Sequence, residues 1–193
     1  MESNNDIAQS TWGDVEAILM QWSHLGVENQ SNGTCLIGHV PHVAPLAWFH
    51  QKYRALELDE IIVLESKLGR ALPDAYRSFL GLCNGLKAFS NHFSIFGMPR
   101  SFSRTAFHAR EPYDLVMATL HTGYLPGLLC FGMIEEDFLY CEWDTGHPME
   151  IFSCPKYKID ERHKSWPDYW TMLQQEVSRL AGMFDEHGRK IIT

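Results

Sequence analysis

The stretch from Leu58 to Pro99 constrains the fold of this chain more than any other. Ile61, Leu64 and Leu68 fall on one helical face, widened by Ile62 and Val63. Gly69 stands where a helix closes through a left-handed residue. Pro73 then suits the first turn of a new helix, where its missing N–H costs nothing. Tyr76, Phe79, Leu80 and Cys83 repeat at helical spacing, Asn84-Gly85 ends that helix, and Phe93–Gly97 reads as a short aromatic strand. Two helices on a tight link, followed by a strand, are not the βαβ order of a nucleotide-binding sheet.

The flanking sequence extends this pattern. Trp12, Val15, Ile18, Leu19, Trp22 and Leu25 predict an amphipathic helix over residues 10–25, with Thr11 as its cap and Gly26 as its stop. Residues 28–57 predict a loop, a short strand near Cys35–Val40 and a short helix through Trp48–Ala55. Residues 101–123 are open between irregular chain and a helix from Pro112 to Leu120. Leu128–Ile134 and Asp137–Trp143 predict a hairpin about Glu135-Glu136, and Met149–Phe152 a further strand. Ser165, with Asp168 three residues on, predicts the start of a last helix. Its stripe is Trp166, Tyr169, Trp170, Leu173, Val177, Leu180 and Phe184. The expected organisation is a helical extension over 1–55, a main domain over 56–186 and a tail over 187–193.

These motifs, taken in order, resemble the SUKH superfamily, the Smi/Knr-like proteins. The residues that carry the resemblance are Leu68-Gly69, Leu72-Pro73, Tyr76, Phe79, Asn84-Gly85, Phe96-Gly97, the segment Leu128–Phe152 and the closing helix. The resemblance implies an α+β, SUKH-like domain: a mostly antiparallel sheet packed by N- and C-terminal helices. It also implies a partner-binding protein, either a bacterial immunity protein against secreted toxins or a regulatory scaffold like the fungal members. It carries no shared catalytic set onto this chain, and the motif residues themselves read as backbone geometry.

Chemistry read from the residues agrees with a binding role. No GxSxG, HExxH, phosphate-binding glycine loop or dinucleotide fingerprint occurs. Cys35, His39, His42 and His50 are too loosely spaced, across Pro41, for a zinc site. The five cysteines form no CxxC pair and sit largely in apolar runs, so a reducing cytoplasm is the expected compartment. The start, MESNNDIAQS, lacks the basic and apolar regions of a secretory signal, and no run of about eighteen apolar residues offers a membrane span. No cofactor is expected.

The net charge of −8 is unevenly spread. From Ala75 to Arg110 there are five basic residues and no acidic one; from Glu111 to Pro155 there are eight acidic residues and no Lys or Arg. The phenylalanines interleaved with the basic stretch fall on predicted core faces, so direct nucleic-acid binding is not expected. The acidic stretch supplies the expected partner-binding residues: Glu135, Glu136, Asp137, Glu142, Trp143 and Asp144. If Trp143 points into the core, only the acidic rim remains. The expected partner is a cognate toxin domain, such as a nuclease or deaminase, whose basic surface an acidic face would meet. The oligomeric state is open.

Overall fold

The computed structural model describes residues 4–100, 110–121, 127–143, 150–156 and 158–191. Among the described residues, nine strands form one sheet in which every strand pairs antiparallel with its neighbours in chain order. They are β1 (Val27–Asn29), β2 (Cys35–His39), β3 (Trp48–Lys52), β4 (Leu86–Ala88), β5 (Phe93–Ile95), β6 (Leu128–Ile134), β7 (Asp137–Glu142), β8 (Ile151–Cys154) and β9 (Lys164–Trp166). The helices are α1 (Asn4–Leu19), α2 (Leu58–Leu68), α3 (Asp74–Leu80), α4 (Leu115–His121) and α5 (Tyr169–Ala181), with a 3-10 helix over Met20–Leu25. The α+β layout expected from the sequence is the observed one. No helix among the described residues is long and apolar enough to cross a membrane.

The central motif folds as its residues dictate. α2 starts where the Glu57 N–H donates to the Glu60 carboxylate (2.9 Å), and it closes at Gly69 with a left-handed φ of 70°. α3 buries Tyr76, Phe79 and Leu80. The Asn84 side chain then grips the chain beyond β5. Its Oδ1 accepts the Met98 N–H and its Nδ2 donates to the Met98 carbonyl, each at 2.8 Å. Tyr76 adds a hydrogen bond from its hydroxyl to the Phe96 carbonyl (2.8 Å). Gly97 lies so close that a Cβ there would sit 2.4 Å from the Asn84 carbonyl oxygen. Asn84-Gly85 and Phe96-Gly97, separate motifs in the sequence, are thus one buried contact.

Several local expectations are corrected. Trp48–Lys52 is not a helix but strand β3, paired with both β2 and β4; Phe49 and His50 enter the core, and tertiary pairing overrides a weak helical pattern. The first helix begins at Asn4, so Thr11 is an interior residue rather than a cap. Ser165 lies in β9; the α5 cap is Asp168, which accepts from the Thr171 N–H at 2.8 Å. In the 101–123 region the described helix runs over Leu115–His121, begun by Asp114, whose carboxylate accepts the Val116 and Met117 N–H groups. The described part of the expected helical extension 1–55, residues 4–55, carries one α-helix, the 3-10 helix and three strands of the common sheet. The sheet runs from β3 to β4 across residue 55 without interruption.

Two aromatic clusters anchor the core. Tyr76, Phe79, Phe131 and Tyr169 join α3, β6 and α5, with Trp12 of α1 edge-on to Phe79 at 5.5 Å. Trp22, Phe49 and Phe89 surround His50, Phe184 packs on Phe49 and Phe89 behind them, and the Trp22 indole donates to the Asp185 carbonyl (2.8 Å). His50 is fully buried; its Nδ1 accepts the Phe89 N–H, and burial lowers its pKa to about 3.

Two outcomes follow from this core. Asn84→Ala leaves the Met98 N–H and carbonyl without partners, so chemical denaturation should show a loss of about 2–5 kcal/mol; a loss under 1 kcal/mol, within the ordinary spread for neutral substitutions, would rule the clamp out. His50 is neutral in both folded and unfolded chains above its ordinary pKa of 6.5. Below that pH the unfolded chain takes up a proton that the native state refuses until pH falls to about 3. Its contribution is therefore lost progressively over that window, by up to about 1.4 kcal/mol per pH unit. Urea titrations of the wild type and His50→Gln at pH 7, 5.5 and 4.5 should show a shallower acid slope in the variant.

Candidate functional site

The described residues with a left-handed backbone and a side chain lie in two turns. Phe89, Ser90 and Asn91, between β4 and β5, have φ of 53°, 52° and 72°, and Glu135, between β6 and β7, has φ of 53°. Such conformations cost a residue with a Cβ on the order of 1 kcal/mol and persist only where surrounding contacts enforce them. The contacts are present. The Ser90 N–H donates to the Phe49 carbonyl (3.0 Å), and the Glu135 N–H donates to the His92 carbonyl (2.7 Å), fastening one turn to the other.

The two turns form the wall of an open groove of about 670 Å³. Ser90, Asn91 and His92 face Glu135, Glu136 and Asp137, and His163, Lys164 and Lys190 complete the rim. A charged network holds the lining residues Glu135 and Lys164. Glu176 of α5 is 4% exposed and receives Lys164 Nζ at 3.2 Å and Arg179 Nε at 2.7 Å. Arg179 also donates from Nη2 to Glu135 at 3.1 Å. Asp137 accepts from the Ser153 hydroxyl (3.0 Å) and pairs with His163 Nδ1 (2.9 Å), while the His163 N–H donates to the Ser153 carbonyl (2.9 Å). Glu136 is exposed and has no ion pair among the described residues.

The six residues expected to bind a partner therefore separate. Glu135, Glu136 and Asp137 stand together at the groove. Glu142 lies at the other end of β7, about 17 Å away at roughly 3.4 Å per residue. Trp143 is no exposed anchor: it is 5% exposed and its Nε1 donates to the Ala71 carbonyl at 2.6 Å, bracing the link between α2 and α3. Asp144 lies outside the described residues. The one-signed acidic run also dissolves on folding, because Arg162, His163 and Arg179 come from later in the chain to pair with Glu150, Asp137 and Glu135.

Sequence reasoning missed Ser90, Asn91, His92, His163, Lys164 and Lys190. Ser90-Asn91, polar between apolar runs, carries a readable turn signal. His92 belongs to the same turn, whereas His163, Lys164 and Lys190 reach the groove only through tertiary packing. The residues weighed for metal do not converge: His39 bonds the Pro45 carbonyl, His50 is buried among aromatics, and no metal-holding cluster occurs among the described residues. Burial pushes the Cys83 thiol up to about 12 and raises that of Cys141, so both are packing residues at neutral pH.

A family model described as the SMI1 / KNR4 family (SUKH-1) matches residues 55–175. No curated protein matches the chain. The matched segment covers α2 to the middle of α5, including the clamp and the hairpin wall of the groove, and the chain belongs to this family.

The network predicts unequal effects of charge removal. Arg179→Met should cost about 1–3 kcal/mol, because Glu176 stays buried with one cation fewer. Glu136→Lys should change stability by no more than about 0.5 kcal/mol. Urea denaturation of both variants checks this; equal effects would mean that the network does not hold the hairpin.

Proposed function

We propose that this protein is an immunity-type binding protein that docks a toxin domain against the groove between the β4–β5 and β6–β7 turns. The observation that carries the reading is the concentration of enforced left-handed residues at that groove. Backbone strain is retained where a surface must keep one shape, and a protein that recognises another protein gains affinity from a surface ordered before contact. Membership of the family supports a non-catalytic immunity or regulatory role acting through protein contacts.

The groove presents both signs of charge. Glu136 and Lys190 extend from a rim whose other charges are paired, so a partner surface with complementary charges would be oriented by these two. The finer reading is that the partner is a secreted or contact-delivered bacterial toxin, such as a nuclease or deaminase, met in the cytoplasm. Occlusion of a basic nucleic-acid surface by the hairpin, led by the exposed Glu136 carboxylate, would neutralise it without chemistry.

Affinity capture with the tagged full chain from its native cells, identified by mass spectrometry, tests this reading. Recovery of a toxin domain in near-equal amount is the expected result. Glu136→Lys should then slow its association at low salt while leaving the fold intact. Recovery of housekeeping proteins in place of a toxin would favour the regulatory scaffold, and unchanged association kinetics would remove the hairpin from the interface.

A further inference from the structure

A second groove lies away from the hairpin, where α1 packs against α3 and α5. Its volume is about 450 Å³. Ala75 and the half-buried Trp170 form an apolar floor, and Ile7, 41% exposed, forms the wall on the α1 side. The charged side chains that line it, Asp74 and Asp168, are both carboxylates. A third carboxylate, Asp14 of α1, stands at the rim and accepts from Gln174 Nε2 at 3.4 Å. The hairpin groove, by contrast, mixes carboxylates with Lys164 and Lys190.

The geometry points to a docking site for a cationic segment of a protein partner, with an apolar side chain seated between Ile7 and Trp170 and a Lys or Arg directed at Asp74. Charge complementarity selects this occupant. An apolar floor inside a one-signed acidic rim favours a segment that alternates apolar and basic residues and repels an acidic one. Asp74 makes the direct contact, because both Asp168 oxygens already accept from Thr171, at 2.8 Å from its N–H and 2.6 Å from its hydroxyl. Asp168 contributes through its charge. The α1 wall precedes the family-matched residues 55–175, so this groove depends on the part of the chain outside the family region. It is also independent of the hairpin reading.

Nitrogen-15 NMR of the full chain tests the site with two short acetylated, amidated peptides, one alternating lysine and leucine and the other glutamate and leucine. The lysine peptide should shift the amides of Thr11, Ser78, Thr171 and Gln174, and added salt should weaken its binding. Asp74→Asn should reduce its affinity about twofold to fivefold. Ser78→Arg, which fills the groove and brings its own cation, should abolish the shifts. Equal shifts with the glutamate peptide would overturn the proposal, as would shifts confined to Asn91 and Glu136 at the hairpin groove. If the same amides move when the protein alone is concentrated, the occupant is a second copy and the proposal also fails. Should Ser78→Arg not fold, the comparison of peptide signs and Asp74→Asn still decide.

Discussion

The Asn84 clamp is the contact on which the rest of the structure depends. One side chain satisfies both backbone groups of Met98, and in doing so it fixes the end of α3 to the chain leaving β5. That chain can approach only because Gly97 has no side chain, and it is held from the other side by the Tyr76 hydroxyl. A buried amide that meets both a donor and an acceptor is specific in a way that apolar packing is not, since a shift of one residue would leave every partner unsatisfied. Register is therefore set here first, and the pairing of β4 with β5 and of β5 with β6 follows from it.

A sheet whose strands pair in chain order has a further consequence. Its connections alternate between two ends. The links β3–β4, β5–β6 and β7–β8 emerge at one end, and the turns β4–β5, β6–β7 and β8–β9 at the other. Asn84, Met98, Ala71 and Trp143 all belong to the first set, so the Asn84 clamp and the Trp143 hydrogen bond lie at that end. Ser90, Glu135 and His163 belong to the second, where they line the hairpin groove. Asp137 opens β7 and Trp143 follows its last residue, so they serve opposite ends, which is why a contiguous acidic segment does not make a contiguous surface.

Legibility in the sequence followed the range of the interactions. Gly69 and Pro73 act within a turn or two of the chain, and they read correctly; the α3 stripe did so only as far as Leu80, because the helix closes at Gly81, short of Cys83 and Asn84-Gly85. The Glu135-Glu136 hairpin also read correctly, because a two-residue polar break between apolar strands is a local signal. Trp48–Lys52 misled because its strand character comes from two neighbours, β2 and β4, the latter more than thirty residues away. The pairing of the acidic residues was hidden for the same reason. Their neutralising partners, Arg162, His163 and Arg179, arrive through β9 and α5, and no pattern within residues 111–155 announces them.

The buried Glu176 shows how the two ends are coupled to α5. A carboxylate removed from water must be compensated where it stands, and Lys164 and Arg179 do this from the strand before the helix and from the next turn of the helix itself. Arg179 has a second carboxylate within reach, Glu135, so the compensation of the helix and the placement of the hairpin are one event. The same helix, through Tyr169, packs into the aromatic cluster of α3 beside the clamp, and through Trp170 and Thr171 it faces α1. Displacing α5 would therefore loosen the hairpin, uncover the aromatic core and open the α1 groove together. A segment outside the family region, α1, thus bears on the same helix that positions the hairpin, and any partner gripping both grooves would meet a single rigid element between them.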